Sequence, residues 1–332
     1  MRLPALRLID PCAPRAYATT ADLAGLGGTE ATVLRIVAGL APLASVTVEQ
    51  SARKLPVRQG SVAFEPMDLS VRSEALTIVI NSWKVALTVA RRNPGARVYV
   101  WQHVVPGRHN RAMAADLSAA GITLLCVSGS LRNTVSGMLD APVRSRVLYN
   151  PISDDLHPDR TPRDRDLLIF ASAPHKGLDQ VLQAFCALRQ KIPSLKLELA
   201  DPGYLAWPVG DLPHGVVRLG SLSHAQAIAR MRAALCLFYP QQRFAETFGL
   251  VIAEANAVGT PALLHCGLGA NDEVASDKTQ CIDGSDPDEI AERIQAWRTD
   301  PPQVRANPEF RLRHVLSEWG HLLSGAPITV AA

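Results

Sequence analysis

From Ser45 onward, short runs of aliphatic and β-branched residues alternate with longer stretches in which apolar residues return every three or four positions. The short runs at 46–48, 77–80, 98–101, 122–127 and 146–149 predict strands. Between them, residues 29–40 bring Ala31, Leu34, Ile36, Val37 and Leu40 close to one helical face, and 130–139 predicts a second helix behind the strand that ends at Ser128. Strand, helix, strand in this order is the crossover pattern of a parallel sheet covered on both faces.

After Asn150-Pro151 the pattern breaks. The polar, proline-bearing stretch 153–165 has too little apolar content to bury much surface and predicts an interdomain linker. The alternation then restarts, with strands expected at 167–171, 195–199, 216–219, 235–239 and 261–265 and helices at 178–191, 225–233 and 250–258. A last helix candidate, 310–323, lies beyond this second set. Two doubly wound α/β domains follow, facing a central cleft. Because open α/β sheets bind ligands beyond the carboxyl ends of their strands, chemistry is to be sought there.

Composition fits two cores: 332 residues, 47% hydrophobic and 20% charged. A formal charge of +3 is too small to point to nucleic acid as a partner. Six scattered cysteines with no C-x-x-C pair, mostly in apolar runs, read as reduced core residues, and none of the nine histidines has the spacing of a zinc site. The first thirty residues lack a secretory pattern, and no apolar run reaches the roughly 18 residues of a membrane span. A cytoplasmic protein is expected, with peripheral contact at the inner face of a membrane left open.

The richest stretch for chemistry is 245–255, Ala-Glu-Thr-Phe-Gly-Leu-Val-Ile-Ala-Glu-Ala, where two carboxylates flank a loop-to-helix turn. A helix starting near Thr247 offers its first amides and its positive dipole end to a diphosphate. Eight residues of helical rise span roughly 12 Å, so Glu254 can accept from ribose hydroxyls while Glu246 accepts from hydroxyls of a transferred sugar. Taken alone, the same pattern is an acidic helix start with a solvated face. Upstream, 170–179 follows a strand and opens a helix, which sets Lys176 beside another helix N-terminus. Gly25-Leu26-Gly27-Gly28-Thr29-Glu30 precedes a helix and lets backbone approach an anion, although it is not the G-x-G-x-x-G fingerprint. His103 ends a predicted strand at its carboxyl end.

Glu246 and Glu254, with Phe248-Gly249-Leu250 between them, resemble the E-x7-E signature of the retaining family 4 glycosyltransferases. The likeness continues through Gly259-Thr260-Pro261-Ala262, Gly269 and Glu273. It implies the GT-B fold: a Rossmann-like acceptor-side domain (1–152), the linker (153–165), a Rossmann-like nucleotide-sugar domain (166–307), and a C-terminal helix with Trp319 (308–332) returning to the first domain. It further implies retaining transfer of a sugar, a hexose by expectation, from a nucleotide-diphosphate donor to a glycan, glycolipid or polysaccharide-precursor acceptor, without metal or cofactor.

Carried onto this chain, the resemblance makes Glu246, His103 and Lys176 catalytic, Lys176 by stabilising the departing diphosphate. Donor contacts are expected from Gly27, Gly28, Thr29, Ser172, Lys176, Arg243, Thr247, Phe248, Gly249, Leu250 and Glu254. Asn150 is expected to fix a turn. One departure stands out: most members carry an arginine five residues before the lysine, and this chain has Ala171. Ser172, His175 or Arg243 is the expected replacement. On the acceptor side, Arg91, Arg92, Arg108 and Arg111 could face phosphate on a lipid-linked precursor. Base, sugar, acceptor and oligomeric state are not fixed by the sequence. The alternatives are a nucleotide-sugar epimerase of the same architecture and a non-catalytic sugar-nucleotide binder; a nicotinamide-dependent dehydrogenase lacks its glycine fingerprint here.

Overall fold

The computed structural model describes residues 3–23, 26–71, 75–201 and 210–325. Contacts divide the chain into two units. The first takes Met1–Leu23, Gly28–Pro151 and Leu312–Ala332; the second takes Ala24–Gly27 and Ile152–Arg311.

The first unit runs β1 (Ala5–Asp10), α1 (Gly28–Leu40), β2 (Val46–Gln50), β3 (Val57–Gln59), β4 (Val62–Pro66), β5 (Ala75–Ile80), α2 (Trp83–Arg92) and β6 (Val98–Gln102). It continues with α3 (Ala114–Ala119), β7 (Thr123–Cys126), α4 (Gly129–Met138) and β8 (Ser145–Val147). Its sheet has the order β3-β4-β2-β1-β5-β6-β7-β8, parallel except for the β3–β4 hairpin. The strand β1 sits between β2 and β5, with Leu6 beside Val46 on one side and Leu76 on the other.

That strand lies outside the alternation seen from Ser45 onward, because Arg7 and Asp10 break its apolar run. Arg7 is nevertheless buried, its guanidinium gripping both carboxylate oxygens of Glu49 on β2 at 2.8 and 2.9 Å. A buried charge is tolerated only when paired in this way. Asp10 is satisfied by the amides of Cys12 and Ala13 and the hydroxyl of Tyr17.

The second unit runs β9 (Asp164–Phe170), α5 (Leu178–Lys191), β10 (Lys196–Asp201), β11 (Val216–Ser221), α6 (His224–Ala233), β12 (Ala234–Tyr239) and α7 (Leu250–Ala257). Then follow β13 (Ala262–His265), α8 (Asn271–Val274), β14 (Cys281–Ile282) and α9 (Pro287–Thr299), while α10 (Leu312–Ser324) belongs to the first unit. Its sheet is parallel throughout, in the order β11-β10-β9-β12-β13-β14. The apolar runs of β9 and β12 are buried on both faces, as central parallel strands require.

Residues 153–165, expected as the interdomain linker, are tied to the second unit, and β9 begins inside them at Asp164. Arg311 donates to the carbonyls of Ser153 and Leu156, Arg232 to that of His157, and Arg163 to that of Gly259. Arg311 and Arg232, from the body of the unit, thus satisfy backbone carbonyls that lie outside any strand ladder, while Arg163 reaches from the stretch back to the unit. Helix α7 starts at Leu250, as the apolar run 250–258 predicts, and not near Thr247, because Gly249 at φ 88° is left-handed and cannot continue into helix. Glu246 therefore stands on a loop, and the span between the two glutamates is not helical rise. Among the described residues no helix is long and apolar enough to cross a membrane.

Candidate functional site

In the second sheet, chain order proceeds from β9 through β10 to β11 in one direction and then crosses to β12 on the other side of β9. That reversal leaves a crevice between the carboxyl ends of β9 and β12, the usual ligand position of an open α/β sheet. Each of the two strands delivers one member of a charged pair to it.

Beyond β9, the chain makes a tight turn in which the Lys176 amide bonds the carbonyl of Ala173 and the Leu178 amide that of Pro174. Gly177 closes the turn at φ 85° and caps α5; a Cβ there would stand 2.7 Å from the Gln241 side chain. Beyond β12, Gln241 organises the loop. Its carbonyl oxygen accepts from the amides of Arg243 and Phe244, and its amide group donates to the Phe244 carbonyl. Nothing in the local pattern singles out Gln241, since a glutamine buried to serve backbone looks in a sequence like any loop residue.

These two turns bring Lys176 and Glu246 together across 70 positions of chain. The Lys176 ammonium donates to both carboxylate oxygens of Glu246, at 2.9 and 3.0 Å, and the Tyr239 hydroxyl donates to Oε1 at 3.0 Å. The carboxylate is buried, its side chain 7% exposed, whereas the lysine side chain keeps 18%. Lys176 also lies over the Phe244 ring, 4.7 Å from its centroid. His175 is edge-on to the same ring, and burial, reinforced by the Lys176 charge and opposed by Glu246, lowers its pKa.

The backbone of Glu246 is held from the other side by the turn after β13. Gly269, at φ 58°, lies so close that a Cβ would be 2.4 Å from the Glu246 carbonyl oxygen, which accepts from the Ala270 amide at 2.9 Å. Glu254, one turn into α7, is also buried, and its Oε1 contacts His224 Nε2 at 2.9 Å at the start of α6. Buried acids with basic partners at the carboxyl end of a sheet form a polar, positively countered seat that suits a diphosphate and hydroxyl-bearing groups.

Several expected donor residues are placed differently. Phe248 points into the core, edge-on to Phe310 at 5.0 Å, so only its backbone is available to a ligand. Arg243 is more than half exposed and pairs with Asp179 at 2.7 Å rather than joining Lys176. Ser172 is buried in the Lys176 loop, Thr247 and Leu250 are half-buried, and Gly249 caps α7. In the first unit, Gly28 and Thr29 open α1 and Gly27 immediately precedes it; Gly25 lies outside the described residues.

His103 follows β6 in the first unit. Its amide donates to the Asn81 side chain at 2.7 Å, its ring lies 4.4 Å from Trp101, and burial lowers its pKa to about 3, which keeps the imidazole neutral. Asn81 holds this contact from the left-handed region, φ 56°, a conformation asparagine tolerates better than most residues. Among the described residues there is no group of three or more His, Cys, Asp and Glu side chains that could hold a metal ion.

Residues 160–312 match the family of glycosyl transferases group 1. The match spans the crevice and both of its charged residues. A GDP-mannose-dependent alpha-(1-6)-phosphatidylinositol monomannoside mannosyltransferase of Mycolicibacterium smegmatis is 28% identical over 177 residues, covering 49% of this chain and 46% of the relative. A D-inositol 3-phosphate glycosyltransferase 1 of Catenulispora acidiphila is 34% identical over 172 residues, covering 46% of this chain and 40% of the relative. Each match takes in less than half of the relative's own length. Among solved structures, a sucrose-phosphate synthase from Thermosynechococcus elongatus superposes with a TM-score of 0.70 at 13% identity, over 96% of this chain and 98% of its own. At that identity the likeness speaks to fold, and the fold is GT-B, two Rossmann-like doubly wound α/β units.

Proposed function

We propose that this protein transfers a sugar from a nucleotide-diphosphate donor to an acceptor hydroxyl, with retention at the anomeric carbon and without a metal. The observation that carries the reading is the Lys176–Glu246–Tyr239 cluster at the strand-order reversal of the second sheet. It is supported by the family match over 160–312 and by relatives whose names specify mannosyl and glycosyl transfer.

On this reading Lys176 is held by Glu246 until donor binds, then turns its ammonium to the diphosphate, while Glu246 accepts from hydroxyls of the sugar and Glu254 from those of the ribose. The bond between the anomeric carbon and the phosphate oxygen breaks as the acceptor oxygen bonds to the same face. The acceptor proton passes to the leaving phosphate oxygen, so no side chain has to act as a strong base. Lysine charge and oriented backbone amides stabilise the phosphate as it departs. His103 is the first unit's candidate for the transferred sugar, and its neutral ring offers a hydrogen bond rather than charge. The acceptor class is a glycan or a lipid-linked precursor.

Release of nucleoside diphosphate from a panel of donors, with and without acceptor, tests the proposal. Glu246→Ala and Lys176→Ala are each expected to lower kcat by about 10²-fold or more while circular dichroism remains that of the parent. Full turnover in folded Glu246→Ala would end this reading.

A further inference from the structure

Glu254 is buried beneath a histidine. His224, the first residue of α6, lies on its solvent side: the His224 side chain is 50% exposed, that of Glu254 10%, and Nε2 stands 2.9 Å from Oε1. A carboxylate only accepts, so Nε2 carries the hydrogen, and the bond is made by the neutral ring as well as the charged one. A second acid is near. Asp155, in the stretch before β9, has its carboxyl held below the usual range by the Ser153 side chain above all, and also by the charges of His224 and His157.

The helix that carries the imidazole is fixed at both ends. Ser223 caps α6 by accepting from the Gln226 amide, and the Gln226 side chain accepts from the Ser223 amide, which sets the turn that presents His224. At the far end Arg232 pairs with Asp159 at 2.9 Å and donates to the His157 carbonyl, while the Thr260 hydroxyl donates to the Met231 carbonyl at 2.8 Å. His224 is therefore a firm point from which to hold another side chain.

Glu254 is a side chain that gains from being held. Glutamate has three rotatable bonds, and a ligand that must order them binds more weakly for it. A contact from a residue 30 positions away removes that freedom before the ligand arrives. Stability is a poor account of the pair, because a half-exposed partner adds little to the fold while burying the carboxylate costs solvation.

We propose that His224 is a positioning residue for the donor's ribose: it aims the Glu254 carboxylate at the 2′ and 3′ hydroxyls and does not itself touch them. The inference rests on the reading that Glu254 accepts from the ribose, and adds to it the residue that orients the acceptor.

Calorimetric titration of the full chain with GDP, UDP, ADP and CDP, each beside its 2′,3′-dideoxy form, and with inorganic pyrophosphate tests it. For the base that binds tightest, the parent is expected to prefer the ribonucleotide by about 10-fold or more, as hydrogen bonds to a charged acceptor allow. His224→Ala should cut that preference to about 3-fold or less and leave pyrophosphate as in the parent. A general loosening of the fold would instead weaken both forms alike and leave their ratio unmoved. His224→Gln, which keeps an N–H donor on a side chain of similar reach, should restore most of the preference. Glu254→Gln should lose it, and His224→Ala added to Glu254→Gln should cost nothing more, since a positioning residue acts only through its partner. An unchanged preference in His224→Ala overturns the inference. So does a further loss in the double variant, which makes His224 a ribose ligand in its own right, and so does a His224→Ala variant that weakens pyrophosphate and every nucleotide by one factor. A preference that survives Glu254→Gln, or a parent that has none, removes the ribose reading itself and the inference with it.

Discussion

His103 shows how burial sets the chemistry a side chain can offer. In the unfolded chain its imidazole titrates near 6.5, and burial lowers it to about 3 in the folded protein. Below pH 6.5 the unfolded state therefore takes up a proton that the folded state refuses. The stability this residue lends is complete above pH 6.5 and drains away as pH falls toward 3. Between pH 6.5 and 5 that amounts to about 2 kcal/mol. Urea unfolding at pH 7 and pH 5 should show the parent losing about that much more than His103→Gln. The outlook for Arg243 is the opposite. Its partner Asp179 is itself 40% exposed, and exposed pairs contribute little, so Arg243→Ala is expected to keep donor turnover within a few-fold of the parent. A loss of 10²-fold in a donor-turnover assay would return Arg243 to the list of replacements for the arginine missing at Ala171.

At the scale of elements, Glu246 is held by Gly269 as much as by its own loop. Gly269→Ala would force a side chain into the left-handed region and into the Glu246 backbone, a strain of about 1–3 kcal/mol before the contact is counted. Thermal unfolding and donor turnover should both fall in this variant. The sequence disclosed these elements unevenly. Apolar runs such as 235–239 announced the central strands of the second sheet, because a parallel strand covered on both faces has little room for polar residues. The central strand of the first sheet escaped notice because Arg7 is paid for by Glu49, forty-two positions away, and only the fold shows that pair. The site divides in the same way. Glu246, Glu254 and Lys176 could be picked out by local pattern and resemblance, but their partners could not. That Lys176 grips Glu246 and that His224 meets Glu254 depends on strand order, while Phe248, central to the motif, serves the core.

On the scale of the whole molecule, the first unit is assembled from both ends of the chain. Helix α10 lays Trp319 edge-on to Trp101 at 4.8 Å, and Leu316 sits over Gly39 of α1 so closely that any Cβ there would collide with it. Trp319 is fully buried. Trp319→Ala is expected to cost the first unit about 3–5 kcal/mol and to leave the second nearly untouched. Limited proteolysis should then cut within 28–151 well before 152–311. Cuts appearing first in the second unit would contradict this division.

The late arrival of α10 also sets an order on synthesis. While the chain emerges from a ribosome, residues 28–151 appear first but lack their closing helix, whereas every strand of the second sheet is available once residue 311 has passed the exit. The half made first is thus completed last, and a nascent chain stalled near residue 311 should already hold a protease-resistant second half beside an unfinished first one.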